Sequence, residues 1–439
     1  MALKRRQSLG GGLVEETLRF AVPTLFTLVA EPAFLAADSI IVGHLGVAQL
    51  AALGAAAAIL TLVTSSFIVL AYGTTARVSR LVGEGRHAEA AKLGNSALVA
   101  GAIIGTVVAV VLAVFGRWLL TFFSVPAAAF PFARTYLEIS LFGVPFQLMS
   151  LGGLGTMRGL GDAKGPLYVQ VAGYLLNIVL NFSLVYGVGM GIAGSALGTV
   201  VSQALVAAGY LWLVALAHRR TGGTRFADFA SVVEVFSAGG PLIVRTAALR
   251  VAILLAIWVA EGQGTVALAA FSASMTIWMV LAFLLDAVAI AAQTSFARSL
   301  GAGELEEARR ATGVFVRLSI VFGLATGAVV MVTAGILPAA FTTDPATRST
   351  MTELLRIVAV LQPVASLVFM LDGILIGLGE FGYLAWASLA SLAAFLPAAL
   401  SVHFALDTPA NLWIAFGILT LARAATLSAR IARRDWSSA

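Results

Sequence analysis

The chain is 439 residues long, 60% hydrophobic and only 11% charged, with a mean hydropathy of +0.99. Those values exclude a water-soluble globular domain, because so few charged residues cannot cover the surface of a chain this long. Lys and Arg outnumber Asp and Glu by 27 to 21, for a formal net charge of +6, and the absence of cysteine excludes a disulfide framework or a thiolate metal site.

Twelve apolar stretches, each of roughly 20 residues or more, are long enough to cross a hydrocarbon core as helices. They fall at 18–43, 50–73, 95–115, 132–155, 166–188, 191–217, 236–260, 265–292, 313–337, 352–377, 381–405 and 409–430. The expected fold is an all-α polytopic membrane protein with 12 transmembrane helices. The start Met1-Ala2-Leu3-Lys4-Arg5-Arg6 is basic, but no A-x-A-like cleavage site follows it, so the first helix is expected to be retained. With the N terminus inside, 21 of the 27 basic residues fall in cytoplasmic segments, Arg423 among them. Both termini are therefore expected to be cytoplasmic, and the net positive charge needs no nucleic-acid partner.

Shifting the sequence by 218 residues superposes landmarks without a gap. Pro23 falls on Pro241, Arg80 on Arg298, Gly85 on Gly303, Pro145 on Pro363 and Gly155 on Gly373. Each half is then a six-helix bundle, and because six is even both enter the membrane in the same sense, the parallel-repeat arrangement of secondary transporters. The expected domains are an N-lobe at 1–217, a polar cytoplasmic linker at 218–235 and a C-lobe at 236–439. Segments 77–94 and 298–313 read as short amphipathic helices on the cytoplasmic surface.

The most informative residue is Asp38, an acid in the first membrane segment with no basic neighbour in sequence. An ionised Asp at the centre of a spanning helix costs about 2.5–3.5 kcal/mol on insertion scales, so it marks a functional site by default. Glu31 lies two turns earlier on the same face, and Pro23 and Pro32 supply candidate bends. Gln170, Tyr174, Asn177 and Asn181 recur at helical spacing along the fifth segment, and Thr199 and Gln203 along the sixth. With Phe34 they form a candidate cavity of aromatic rings and amides. In the second half Arg245, Arg250, Asp286 and Asp372 fall at similar depth, which reads as an ion-paired structural cluster. Arg134 and Glu138 are one turn apart and are expected to pair. Asp38 has no acidic counterpart, since the equivalent position is Ala256.

Gly189-x-Gly191-x-x-Gly194 fits a dinucleotide fingerprint only formally: no strand precedes it, and a tight external turn is expected. Gly194-x-x-x-Gly198 reads as a small-residue packing face. No Walker A, H-E-x-x-H or G-x-S-x-G pattern occurs, which argues against an enzyme.

The run Asp38-Ser39-x-x-Val42-Gly43-His44-Leu45-Gly46, followed by Leu50-Ala51-Ala52-Leu53-Gly54, resembles the first-helix signature of the multidrug and toxic compound extrusion (MATE) family. Arg298-Ser299-Leu300-Gly301-Ala302-Gly303 and Leu371-Asp372-Gly373-Ile374-Leu375-Ile376-Gly377-Leu378-Gly379 are further matches, and together they are similar to its DinF branch. The resemblance implies an antiporter that exports amphipathic, often cationic, organic compounds in exchange for protons or sodium ions. It implies no cofactor beyond the coupling ion, no bound metal, and the lipid bilayer and small-molecule substrates as partners. On the matching positions Asp38 is the proton-responsive acid and Asn177 and Asn181 its polar neighbours. Some members carry Asp where this chain has Asn181, so the second acid of such a site is left to Glu31. Sodium-coupled members carry carboxylates in the seventh helix, where this chain has Arg245, which favours protons. A flippase for lipid-linked precursors is the alternative within transport, with Arg245 and Arg250 as its phosphate-binding residues. The expected setting is a monomer in the cytoplasmic membrane of a prokaryote.

Overall fold

The structure, a computed structural model, describes residues 2–123, 125–221, 229–405 and 408–434, without the side chains of residues 2–14, 16, 31–33, 36, 221 and 229–238. Fourteen α-helices follow one another: α1 (Ala2–Gly43), α2 (Val47–Thr64), α3 (Val69–Gly83), α4 (His87–Phe122), α5 (Phe130–Ser140), α6 (Val144–Gly159), α7 (Lys164–Phe182), α8 (Ile192–Thr221), α9 (Phe229–Gly262), α10 (Thr265–Gly301), α11 (Leu305–Thr333), α12 (Pro345–Gly377), α13 (Phe381–Phe404) and α14 (Pro409–Ala432). Among the described residues ten helices or joined helices are long and apolar enough to cross a bilayer, and the pair α5 and α6, bent by 50° at its junction, makes an eleventh. The remaining expected segment falls on α1, whose described stretch Thr17–Ala30 is a shorter apolar helix.

One expectation is revised. The segments 77–94 and 298–313 are not separate surface helices but the abutting ends of long ones: α3 meets α4, and α10 meets α11, across turns of three residues. Gly85 and Gly303 sit in those turns with φ of 74° and 72°, a left-handed conformation that stops one helix and lets the next begin at once. The chain forms two compact units: Val22–Gly239 form one, and Gly240–Ala439 group with Met1–Ala21 in the other. Residues 222–228 of the expected linker lie outside the described residues.

Inside each unit, helices meet backbone to backbone. A Cβ on Gly155 of α6 would lie 2.5 Å from the carbonyl oxygen of Ala71 in α3, and one on Gly373 of α12 would lie 2.4 Å from that of Ala289 in α10. Ala71 and Ala289 are themselves 218 residues apart. The same holds for Gly105 against Cα of Pro145, 2.5 Å, and Gly323 against Cα of Pro363, 2.7 Å. Hydrocarbon supplies no hydrophobic drive for helix association, so close packing at small residues has to provide it.

Polar ends are satisfied locally. Arg134 Nε donates to Glu138 at 2.6 Å on the exposed side of α5. Asp344 caps α12 by accepting from the Thr347 backbone N–H at 2.8 Å and its hydroxyl at 2.6 Å, and these bonds hold the Asp344 carboxyl below its usual range.

Gly155→Val and Gly373→Val are each expected to lower the thermal unfolding temperature, because overpacking a tight contact costs about 1–3 kcal/mol. Gly313→Ala, whose added Cβ meets nothing within 4 Å, should leave it level or raise it. The depressed Asp344 carboxyl contributes stability that is fully present above about pH 3.9 and lost as pH falls through its lower folded-state value. The unfolding difference between the native protein and Asp344→Ala should therefore narrow in acid, and a difference that stays constant would remove the cap from the account.

Candidate functional site

Among its described residues the amino-terminal unit buries one carboxylate. Asp38, on the penultimate turn of α1, is 4% exposed. Its Oδ1 accepts from Asn181 Nδ2 of α7 at 2.6 Å and from Ser195 Oγ of α8 at 2.8 Å, and its Oδ2 accepts a longer bond from Tyr136 Oη of α5 at 3.4 Å. No basic side chain among the described residues pairs with it. Burying an ion without a counter-ion is tolerable only when hydrogen bonds replace its water, and here three neutral donors from three helices do so.

Around this core the polar stripes converge. Asn177 Nδ2 donates to Thr199 Oγ1 at 3.1 Å, and Thr199 Oγ1 donates back to the Ser195 carbonyl at 3.1 Å. Phe34, one turn before Asp38, stacks on Tyr174 with centroids 5.0 Å apart and planes 14° from parallel. Gln170 is half-buried one turn before Tyr174. Gln203 is turned elsewhere: its Oε1 would lie 1.9 Å from a Cβ on Gly143, so it packs over the junction of α5 and α6. Glu31 and Pro32 are within α1, but their side chains lie outside the described residues. Pro23 is buried, and its carbonyl accepts from Thr27 Oγ1 at 2.9 Å; the helix is assigned without a break through both prolines.

Three partners of the first helix were not foreseen. Ser195 extends the Thr199–Gln203 stripe by one turn, a signal present in the spacing. Tyr136 gave none, because Arg134 and Glu138 flank it and dominate the pattern of α5. Tyr186 lies in a wide turn, Ser183–Gly187, in which Val188 N–H reaches five residues back to the Ser183 carbonyl at 2.9 Å. Wide turns of this kind re-aim side chains and often mark functional positions. The Tyr186 hydroxyl thereby donates to the Ile41 carbonyl at 2.5 Å, in the last turn of α1. The Gly194–Gly198 face also takes a part in the site: a Cβ on Gly198 would lie 2.1 Å from Asn181 Oδ1, so this glycine leaves room for the amide that meets Asp38.

The charged cluster of the carboxy-terminal unit also takes in Arg423. Asp372 Oδ2 accepts from Arg245 Nη2 at 2.7 Å and also from Arg423 Nη2, and all three side chains are at most 15% exposed. Arg423, counted from the sequence among the cytoplasmic bases, instead lies nine residues before the end of α14 and faces the interior. Arg250 and Asp286 are half-buried on α9 and α10.

The repeat makes the asymmetry explicit. Under the 218-residue shift Asp38, Tyr136, Asn177, Asn181 and Ser195 fall on Ala256, Leu354, Phe395, Ala399 and Trp413. All five are 0% exposed and belong to one apolar cluster, in which Trp413 meets Phe271, Trp278 and Phe416 at centroid distances of 5.6, 5.7 and 5.5 Å. The polar site of one unit is therefore an aromatic core in the other.

Two repeated helical halves, one of them holding a buried acid met by neutral donors from three helices, define a multi-pass membrane transporter rather than an enzyme. The chain belongs to the MatE family, whose sequence profile matches residues 23–183 and again 241–400. It is 31% identical over 399 residues to Protein DETOXIFICATION 44, chloroplastic, of Arabidopsis thaliana, an alignment covering 86% of this chain and 74% of that one. It is 29% identical over 428 residues to the Probable multidrug resistance protein NorM of Burkholderia pseudomallei, covering 91% and 86%. Its fold matches the bent form of the Vibrio cholerae MATE transporter VcmN with a TM-score of 0.88 at 22% identity, over 97% of this chain and 98% of that one.

Removing one partner of a buried ion pair strands the others, at about 3–5 kcal/mol. Asp372→Asn, which leaves two guanidinium groups without their carboxylate, should therefore lower the unfolding temperature far more than Arg423→Gln, which leaves the Arg245–Asp372 pair whole. Equal losses would mean that Arg423 and Asp372 do not interact in the membrane.

Proposed function

We propose that the chain exports amphipathic, cationic organic compounds in exchange for protons, and that reversible protonation of Asp38 couples the two movements. The single observation that carries this reading is a buried carboxylate served only by neutral donors, in a family whose relatives include multidrug resistance proteins.

Ionised Asp38 suits its present partners, since Asn181 offers an N–H and Ser195 and Tyr136 offer hydroxyls. The Nδ2 of an amide can only donate, so a proton added to Oδ1 would face a donor and lose its bond. Oδ2 is the better place for it, because the Tyr136 hydroxyl can rotate from donating to accepting. Protonation then weakens the charge-assisted bonds to Asn181 and Ser195 that tie α1 to α7 and α8. A helix so released can change shape, and the cation held by the ionised acid is discharged. Donor hydrogens directed at Oδ1 occupy the space where a sodium ion would require oxygen lone pairs, which supports the proton as the coupling ion. The basic-residue distribution supports cytoplasmic termini and a place in the cytoplasmic membrane, and the transporter is taken to work as a monomer.

Efflux from proteoliposomes under separately imposed proton and sodium gradients tests the proposal. Wild type should respond to the proton gradient and Asp38→Asn should not; full proton-driven export by that variant would sink the idea. Hydrogen bonds to charged groups contribute about 1.5–3 kcal/mol, so Ser195→Ala and Asn181→Ala should each reduce export by roughly tenfold or more.

A further inference from the structure

A face of α4 away from Asp38 carries a groove of about 560 Å³, lined by Leu98, Val99, Ala102, Ile103, Val107 and Leu211, with Met149 at its base. Val99, Ile103, Val107 and Leu211 are 40–58% exposed, so the groove opens outward on a face that hydrocarbon must cover. Gly101 makes it deep, since the α4 backbone there comes so close to α6 that an added Cβ would lie 2.4 Å from the Leu148 carbonyl oxygen.

The groove has a polar end. Asn95 closes it on α4, and Lys92 continues the same helical stripe one turn nearer the charged turn at Glu84–Arg86. Along α8, which packs against α4, Arg219 lies eight residues beyond Leu211 in the last turn. α4 is the third spanning segment and α8 the sixth, so the two run oppositely, which brings the start of α4 and the end of α8 to one side of the bilayer. From Asn95 to Val107 the stripe is about 18 Å long at ~1.5 Å per residue, close to the hydrocarbon depth of one leaflet. The repeat does not reproduce it: the positions of Asn95 and Val99 are Gly313 and Arg317 in the other unit, and a charged side chain midway would obstruct a hydrocarbon chain.

We propose that this groove is a binding site for an anionic glycerophospholipid of the cytoplasmic leaflet, its acyl chain along α4 and its phosphate against Lys92 and Arg219. Charge selects the headgroup, because each base near an anionic leaflet contributes roughly fivefold in affinity. Shape selects the chain, because apart from Thr106 the trough from Leu98 to Val107 is lined by apolar side chains over about one leaflet's depth. None of the lining residues touches Asp38, so the site stands or falls apart from the coupling mechanism.

The test uses the full-length protein in nanodiscs of equal phosphatidylglycerol and phosphatidylcholine, transferred to detergent and weighed by native mass spectrometry. Wild type should retain phosphatidylglycerol over phosphatidylcholine by tenfold or more. Lys92→Gln with Arg219→Gln should bring the two lipids to equal retention, and Ala102→Phe, which fills the trough, should lose the retained lipid while purifying as a folded protein. Equal retention by wild type, or a preference that survives both variants, would overturn the proposal. So would loss of rhodamine 6G binding in Ala102→Phe with lipid retention unchanged, which would make the groove a drug site instead.

Discussion

Helices in hydrocarbon are held together by contact rather than by escape from water, and in this chain the contact is made by main chain. Where Gly155 meets Ala71 and Gly373 meets Ala289, a single missing Cβ lets two helices approach until backbone touches backbone. Because that contact does not use side chains, it leaves most other positions free to change without moving the helices. The repeat has kept its backbone register through the equivalent pairs at Gly105 and Gly323, while the side chains between them have separated in character.

That separation organises the chemistry. A carboxylate in a bilayer needs donors placed around it, and the amino-terminal unit provides an amide and two hydroxyls on three helices. At the equivalent places the carboxy-terminal unit provides Leu354, Phe395, Ala399 and Trp413, which pack densely and offer Asp38's counterpart no role, so it is Ala256. The charges of that unit lie elsewhere along its helices. Arg245 corresponds to position 27, eleven residues or about 16 Å before position 38, and its partner Arg423 and their shared Asp372 are near the ends of α14 and α12. One unit is thus polar where the other is apolar at these equivalent positions.

Much of this was legible in order along the chain. Apolar length gave the spanning segments, and the ungapped shift of 218 residues gave the equivalence that the glycine contacts bear out. Helical spacing also put Asn177 and Asn181 on one side of the fifth segment and Thr199 on a stripe of the sixth. What spacing could not supply was contact between helices distant in sequence. Tyr136 and Ser195 are 98 and 157 residues from the acid they serve, and nothing in a local pattern links them. Arg423 was misplaced for the same reason: a base near a helix end reads as cytoplasmic unless its partner, 51 residues earlier, is known to face it. Gln203 shows the converse, since it shares a stripe with Thr199 yet turns to the gap left by Gly143.

The sequence by itself determined that this is a polytopic membrane protein, that its halves repeat, and that Asp38 is an acid without a partner nearby. Those properties are sums over residues or periods along one helix, and a linear chain displays them. Tertiary structure decided which neutral groups receive the carboxylate, that Tyr186 is re-aimed by a wide turn onto the end of α1, and that Asp372 is shared by two arginines. These depend on three or more helices meeting at one point, and the point is set by how closely their backbones pack.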